Sequence, residues 1–281
     1  MLGTRPVGFK VKWLADHMQS FDGMLLWTYG LRTERVGGTD VTKVDVIAFD
    51  PVALRVVKRQ EVGRGPAHSV VLTPDRKQVL MNVAGDDLIV YIDPATTQVT
   101  HAVPVGKFPC DLHLSPDGRT AYLPERDQDT VSALDVARRQ IVKRVSFAKG
   151  SKPHMLRVSP DGKYVWVQDA VSNMNEILDS QTLQVVNAQP VGKVPTTNAW
   201  TPDGRQSWVV LRQNSVRREV VDLPALIRRR SWFDDHPPAP AASPPALSLR
   251  PPPPARPRKP RLAPAARRLQ ANGAPAEAPH D

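Results

Sequence analysis

Two histidines, one cysteine and one threonine recur at the same position of a repeated sequence unit. Counting back six residues from the proline of each repeated turn gives His68, Cys110, His154 and Thr196. Imidazole and thiolate groups bind zinc, copper and haem iron in proteins. If the repeats are arranged around an axis, these side chains ring one end of it. His68, His154 and Cys110 are then the candidate ligands of a metal.

Neighbouring residues add further polar groups to these positions. Asp111 and Met155 follow Cys110 and His154 directly and offer a carboxylate and a thioether, and His113 lies two residues beyond Asp111. The sequence shows no recognisable Ser-His-Asp arrangement, no His-Glu-x-x-His motif and no phosphate-binding glycine loop. The candidates therefore predict ligand binding at this end rather than a familiar catalytic centre, and an enzymatic role is not favoured.

The repeat itself predicts the elements that position these residues. Each unit opens with Gly and Pro, reaches a Pro-Asp or Pro-Asp-Gly turn and runs through apolar segments to a closing Asp. The turns of the four clear units are Thr73-Pro74-Asp75, Ser115-Pro116-Asp117-Gly118, Ser159-Pro160-Asp161-Gly162 and Thr201-Pro202-Asp203-Gly204. A fifth, weaker unit has the turn Ser20-Phe21-Asp22-Gly23. The units close 42 to 44 residues apart, at Asp50, Asp93, Asp135, Asp179 and Asp222, and this period is typical of solenoids and propellers.

The content of one unit distinguishes these two architectures. The third of the five units contains four short runs, at residues 111–114, 120–123, 130–134 and 140–145, with alternating apolar side chains and no helical periodicity. We therefore predict an all-β fold, a β-propeller of four-stranded antiparallel blades with about five blades present. The turn aspartates are expected to accept hydrogen bonds from their own turns rather than to bind calcium.

The units resemble those of bacterial YVTN-type (YncE-like) propellers over about residues 10–223. The matching pieces are the Gly-x-x-Pro segments Gly63 to Pro66, Gly106 to Pro109, Gly150 to Pro153 and Gly192 to Pro195, the strands Ala121-Tyr122-Leu123, Tyr164-Val165-Trp166-Val167 and Ser207-Trp208-Val209-Val210, and Val90-Tyr91-Ile92-Asp93. The resemblance implies a seven-bladed ring, of which this chain holds only a truncated part. It also implies a periplasmic or secreted location, although the first residues show no signal peptide.

The composition changes sharply after residue 227. Fifteen of the 29 prolines fall at or after Pro224, and such a segment cannot bury enough apolar surface to fold. We expect propeller blades in residues 1–223 and a disordered Pro/Ala/Arg-rich tail in residues 224–281. Because the change interrupts a repeat unit, it favours a frameshift product over a genuine basic, proline-rich recognition segment.

The charge distribution limits the classes of partner. The tail carries ten Lys or Arg against four Asp or Glu, and so accounts for +6 of the net charge of +10. No basic stripe is interleaved with aromatic residues, so nucleic acid is not an expected partner. No apolar run is long enough for a membrane span. An open arc of blades exposes two end faces, which predicts self-association through the end blades.

Three classes of function remain open. The favoured one is a non-catalytic scaffold that binds a protein or a small ligand at the channel mouth. The first alternative is a redox-associated propeller with a haem, a quinone or a transition metal near His68 and His154. The second is a lactonase-like hydrolase, which needs a His, Glu and Arg constellation that the sequence does not assemble. Pro-His is common in the repeats that this chain resembles, where the imidazole bonds a neighbouring loop, so no cofactor is preferred over a structural or ligand-lining role.

Overall fold

The computed structural model describes residues 13–14, 20–21, 24–169, 171–201, 203–211 and 217–222. All of them lie within Met1–Ala239, the larger of the two units into which the chain divides. The predicted tail, residues 224–281, lies outside the described residues. Among the residues described, no helix has the length and hydrophobicity that a bilayer crossing requires.

The described residues form twenty β-strands and a single 3-10 turn at Arg126–Gln128, with no α-helix among them. The strands of the first two sheets are β1 (Trp13–Leu14), β2 (Ser20–Phe21), β3 (Leu26–Val36), β4 (Thr39–Asp50) and β5 (Arg55–Arg64), then β6 (Val70–Leu72), β7 (Val79–Val83), β8 (Leu88–Ile92) and β9 (Val99–Pro104). The strands of the other three are β10 (His113–Leu114), β11 (Thr120–Glu125), β12 (Thr130–Asp135) and β13 (Gln140–Ser146), then β14 (Pro153–Val158), β15 (Tyr164–Asp169), β16 (Met174–Asp179) and β17 (Val185–Pro190), and finally β18 (Pro195–Trp200), β19 (Gln206–Leu211) and β20 (Arg217–Asp222).

The five sheets are the blades that the repeat predicts, and blades 2 to 5 are antiparallel meanders in which consecutive strands pair. Blades 2, 3 and 4 have four strands each, in the orders β6-β7-β8-β9, β10-β11-β12-β13 and β14-β15-β16-β17. In blade 1 the short strands β1 and β2 both pair with β3, and β4 and β5 follow. Blade 5 has the three strands β18-β19-β20. The predicted strand boundaries in blade 3 agree with this closely, except that the inner strand begins at His113 instead of Asp111.

The hydrophobic core lies between the blades, because a blade with a neighbour on each side is apolar on both faces of its sheet. Side chains alternate along a strand, so that Leu123 packs towards blade 2 while Tyr122 packs towards blade 4. Trp166 of blade 4 meets Trp200 of blade 5 edge to face, with ring centroids 5.6 Å apart. The sequence predicts that Trp208 also packs between blades. It is instead 41% exposed, since it alternates with the residues of β19 that face blade 4.

The Pro-Asp-Gly turns join neighbouring blades at one end of the sheets. In each turn the aspartate accepts a hydrogen bond from the Ser or Thr two residues before it and from the backbone N–H two residues after it. Gly118 has a φ of +72°, and a Cβ atom there would lie 2.5 Å from Cδ of Pro74 in the preceding blade. The glycine is therefore required both by the backbone conformation and by the close approach of the two turns.

The opposite end of the blades, where the inner strands begin, is called here the mouth end. At this end a second repeated contact holds each Gly-x-x-Pro segment. Asp87, Asp129 and Asn173 occupy the left-handed region in the hairpins between the second and third strands of blades 2, 3 and 4. Their side chains accept hydrogen bonds of 2.8 to 3.0 Å from the third residues of the next Gly-x-x-Pro segments, which are also left-handed: Phe108, Lys152 and Val194. Each hairpin therefore fixes the segment that leads to the next blade.

Candidate functional site

The inner strands of blades 2 to 5 are β6, β10, β14 and β18, and the residues predicted from the repeat lie at their mouth ends. His154 and Thr196 are the second residues of β14 and β18. His68 and Cys110 lie in the segments that lead into β6 and β10. The repeat thus places all four at equivalent points of four consecutive blades, and their side chains differ in what they contact.

His68 and His154 come together although they belong to blades 2 and 4. Their ring centroids are 6.0 Å apart and the rings are nearly perpendicular, with an interplanar angle of 82°. The ring of Phe108, from the segment leading into blade 3, lies 6.1 Å from that of His68. The guanidinium of Arg126 lies over the Phe108 ring, 3.7 Å from its centroid. These four residues, His68, Phe108, Arg126 and His154, are named the mouth cluster.

Cys110 is separated from this cluster by its burial. Its side chain is fully buried, and its N–H donates to the carbonyl of Pro124 at 3.0 Å. Burial raises the pKa of the thiol to about 12, so the sulfur is protonated at neutral pH and is a poor metal ligand or nucleophile. Thr196 is half-buried, and its hydroxyl donates to the carbonyl of Val210 at 3.2 Å.

Asp111 joins the inner strands of three blades. Its fully buried carboxylate accepts hydrogen bonds from the Ser69 hydroxyl of blade 2 at 2.5 Å and from its own neighbour Leu112 N–H at 2.9 Å. From blade 4 it accepts the Leu156 N–H at 3.0 Å and the Arg157 guanidinium at 2.9 Å. Burial acts to raise the pKa of Asp111, but Arg157 and these donors outweigh it and hold the pKa below its usual value. Asp111 is therefore a charged structural link beneath the mouth.

The two remaining candidates also pack inside the structure. Met155 is buried. His113 is half-buried, and its Nδ1 lies 3.1 Å from the Leu114 carbonyl oxygen and 3.4 Å from the Val158 nitrogen. Burial, reinforced by the charge of Arg157, lowers the pKa of His113 to about 4, so this imidazole is neutral at neutral pH. Within the part of the chain that the structure describes, no three His, Cys, Asp or Glu side chains converge as a protein metal site requires.

Three residues near the mouth were not anticipated from the sequence: Phe108, Arg126 and Arg157. The sequence offers one signal that could have pointed to Phe108. It is the third residue of a Gly-x-x-Pro segment, and it lies in sequence between His68 and Cys110, the aligned positions of blades 2 and 3. Arg126 follows directly after β11, and Arg157 extends its other Nη to the Thr197 hydroxyl of blade 5 at 3.1 Å. Neither arginine stands at a position that the repeat marks.

Comparisons with known proteins agree with this architecture. Residues 110–223 match the family described as the Cytochrome D1 heme domain. Among solved structures, Kuenenia stuttgartiensis Hydrazine Synthase superposes with a TM-score of 0.62 at 20% identity, covering 80% of this chain and 67% of that one. The β-propeller domain of Myceliophteria thermophila Cps50 (Swd1) superposes with a TM-score of 0.55 at 14% identity, covering 75% of this chain and 70% of that domain. The fold is a β-propeller.

A curated relative extends the comparison to an enzyme. The 6-phosphogluconolactonase of Blochmanniella pennsylvanica is 22% identical over 217 residues, which is 69% of this chain. This chain spans 63% of the length of that relative. Identities at this level establish the propeller fold, which serves many unrelated functions.

Proposed function

We propose that this protein is a non-catalytic β-propeller scaffold that binds a small ligand or a protein segment at the channel mouth. The observation that supports this most directly is the approach of His68 to His154 across blade 3, with Phe108 beside them. The ring nitrogens of His68 and Nδ1 of His154 are buried, so the three rings offer mainly aromatic surface, which suits a flat ligand.

The charged groups near the mouth cluster limit the kind of ligand that would bind there. Arg126 adds a cation at the Phe108 ring, and its Nε donates to Asp127 at 3.0 Å. Asp111 and Arg157 neutralise each other beneath the cluster. The mouth therefore favours a neutral or weakly anionic ligand over a highly charged one.

Native mass spectrometry of the full chain, purified without denaturation, tests this proposal. The wild-type protein is expected to retain a co-purifying molecule, and His154→Phe is expected to reduce its occupancy at least tenfold. The matched control is His101→Phe, because His101 lies exposed on the outer strand β9 and should not alter retention. Equal retention in both variants, or a wild-type protein without any bound molecule, would contradict the proposal.

A redox-associated propeller is the second candidate, and the match of residues 110–223 to the Cytochrome D1 heme domain favours it. The donor set fits a haem in one respect, because two imidazoles stand together and imidazole ligates haem iron. His68 and His154 would hold the iron, and Phe108 would border the group. A bound haem would supply one-electron chemistry. Titration of the full chain with haemin, followed by visible spectroscopy, tests this candidate. A change in the haem spectrum that wild type produces and that is lost in both His68→Phe and His154→Phe supports it.

A lactonase-like hydrolase is the third candidate, and it is supported by the name of the curated relative. Such a site needs an acid, a base and a cation that face the channel together. Glu125 is instead buried against Arg144, at 2.9 Å, inside blade 3. Hydrolysis of 6-phosphogluconolactone by the purified chain, followed as acid release, tests this candidate directly, and an absence of turnover removes it.

The domain bounds, the location and the self-association expected from the sequence are also proposed. We propose YVTN-type blades in residues 1–223, a separate tail in residues 224–281, a periplasmic or secreted location, and self-association through the end blades. Trp208, exposed on blade 5, supports the last of these. Sedimentation of the full chain at several concentrations tests it.

A further inference from the structure

Blades 3 and 4 differ in how they neutralise buried acids at the same repeat position. In blade 3 the last residue of β11, Glu125, is fully buried. Its carboxylate accepts hydrogen bonds from Arg144 Nε and Nη2, both at 2.9 Å, and from the Gly106 N–H at 2.8 Å. Arg144 lies on β13 opposite Ser132 of β12. This acid is therefore paired with a cation from its own sheet.

Blade 4 places two acids in the corresponding space and provides no such cation. Asp169 ends β15, and Glu176 of β16 lies opposite Val167, two residues before Asp169, so both acids share one face of the sheet. They are 1% and 5% exposed. Ala188, itself 1% exposed, lies opposite Glu176 at the place that Arg144 holds in blade 3.

The hydrogen bonds of the two acids are incomplete. Asp169 Oδ1 accepts the N–H groups of Val171 and Ser172 at 2.9 and 3.1 Å. Asp169 Oδ2 and Glu176 Oε2 are buried and have no hydrogen-bond partner among the described residues. An isolated buried carboxylate is strongly disfavoured, and such a group usually takes up a proton instead.

Charged and titratable groups of blade 3, and Lys152 of the segment that leads to blade 4, are committed to other partners. Those of blade 3 are Tyr122, Asp127, Asp129 and Lys143. The Lys143 ammonium donates to the Gln181 carbonyl, and the Lys152 ammonium lies 3.6 Å from Asp127. The Tyr122 hydroxyl donates to the Ser180 carbonyl. Asp129 accepts the Gly150 and Lys152 N–H groups and adds negative charge near Asp169.

We infer that Glu176 carries a proton at neutral pH. This proton neutralises the acid in blade 4, as the guanidinium of Arg144 neutralises Glu125 in blade 3. The joint between blades 3 and 4 is consequently sensitive to alkali. Ala188 is buried opposite Glu176 and carries no charge that could pair with it. Burial, followed by the negative charge of Asp169, raises the pKa of Glu176 to about 8, and burial also raises the pKa of Asp169.

The direction of the pH effect follows from the proton count. Between the ordinary pKa of 4.5 and the folded value of about 8, the folded protein holds a proton that the unfolded chain has lost. The free energy of unfolding therefore falls as the pH rises through this window. Above the window the ionisation of Glu176 has no further effect on it. One retained proton changes the unfolding equilibrium constant about tenfold per pH unit.

Urea unfolding of the full chain from about pH 6 to about pH 8 tests the inference. The wild-type unfolding constant is expected to rise about tenfold more per pH unit than that of Glu176→Gln, which keeps the shape of the side chain but cannot ionise. The matched control is Glu125→Gln, which removes a charge-paired acid and should keep the wild-type slope. Identical slopes in wild type and Glu176→Gln would overturn the inference.

A second measurement on the wild-type protein does not depend on the folding of any variant. Infrared difference spectra should show the carbonyl band of a protonated carboxylic acid at about pH 6 and its loss at about pH 9. A spectrum in which no such band is lost over this range would also overturn the inference.

Discussion

Replacing Asp111 with alanine removes the acceptor that joins the inner strands of blades 2, 3 and 4. The substitution leaves the partly buried Arg157 guanidinium without its carboxylate, and it leaves Ser69 Oγ and the Leu156 N–H without their acceptor. Removing one partner of a buried ion pair costs about 3–5 kcal/mol. The unpaired N–H and the lost contacts act in the same direction, so the upper part of that range is expected.

Urea denaturation of the full chain measures this loss. With an m value of about 2–3 kcal/mol/M, a loss of about 4–5 kcal/mol should lower the midpoint of Asp111→Ala by roughly 1.3–2.5 M. The control is Asp117→Ala in the turn of the same blade. This aspartate is exposed and accepts two hydrogen bonds from its own turn, so its loss should cost about 1 kcal/mol.

A double-mutant cycle separates the charge pair from the loss of packing. Adding Arg157→Ala to Asp111→Ala removes the orphaned cation, so the double variant should be more stable than the sum of the two single losses predicts, by about 1–3 kcal/mol. A loss for Asp111→Ala no larger than that of the turn control would refute the reasoning. So would an additive cycle.

Two further predictions concern single side chains. Gly118→Ala should destabilise the protein by about 2 kcal/mol more than Gly150→Ala. Both glycines have a positive φ, but only at Gly118 would the new Cβ meet a neighbour, Pro74. Equal melting temperatures of the two variants would contradict the close approach of the turns. Cys110 should resist alkylation at about pH 8 in the native protein and react once the chain is unfolded in urea, since burial raises the pKa of its thiol to about 12; rapid native labelling, followed by mass spectrometry, would show the site to be open.

Much of the fold could be predicted because the repeat is punctuated by residues with strong local preferences. Ser-Pro-Asp-Gly specifies a turn through the φ of proline and the conformational freedom of glycine, and alternating apolar residues specify the strands between the turns. The late start of β10 is an exception with a local cause. Asp111 and Leu112 look like strand residues in sequence, but the Asp111 carboxylate bonds the Leu112 N–H and blade 4, and the strand pairing begins only at His113.

The candidate site was less predictable because its geometry depends on contacts between blades. The repeat aligns His68 with His154 but does not say that their rings approach each other, since that distance depends on how the intervening blade 3 is packed. The left-handed conformation of Phe108 is equally hidden, because glycine is the residue that usually signals it. In the sequence, Glu176 looks like an ordinary polar strand residue. Only the structure shows that Ala188 lies opposite it, at the position that Arg144 occupies in blade 3.

The left-handed hairpin residues have a consequence for how such a protein changes its number of blades. Asp87 and Phe108, like Asp129 and Lys152, are separated in sequence by less than one repeat, so a duplication of one whole unit copies the hairpin together with the linker that it holds. The exit direction of every blade is then inherited along with the blade. Ancestral propellers of this kind could gain or lose units without evolving a new joint, and a designer who recombines blades should keep each hairpin and the following linker on one segment.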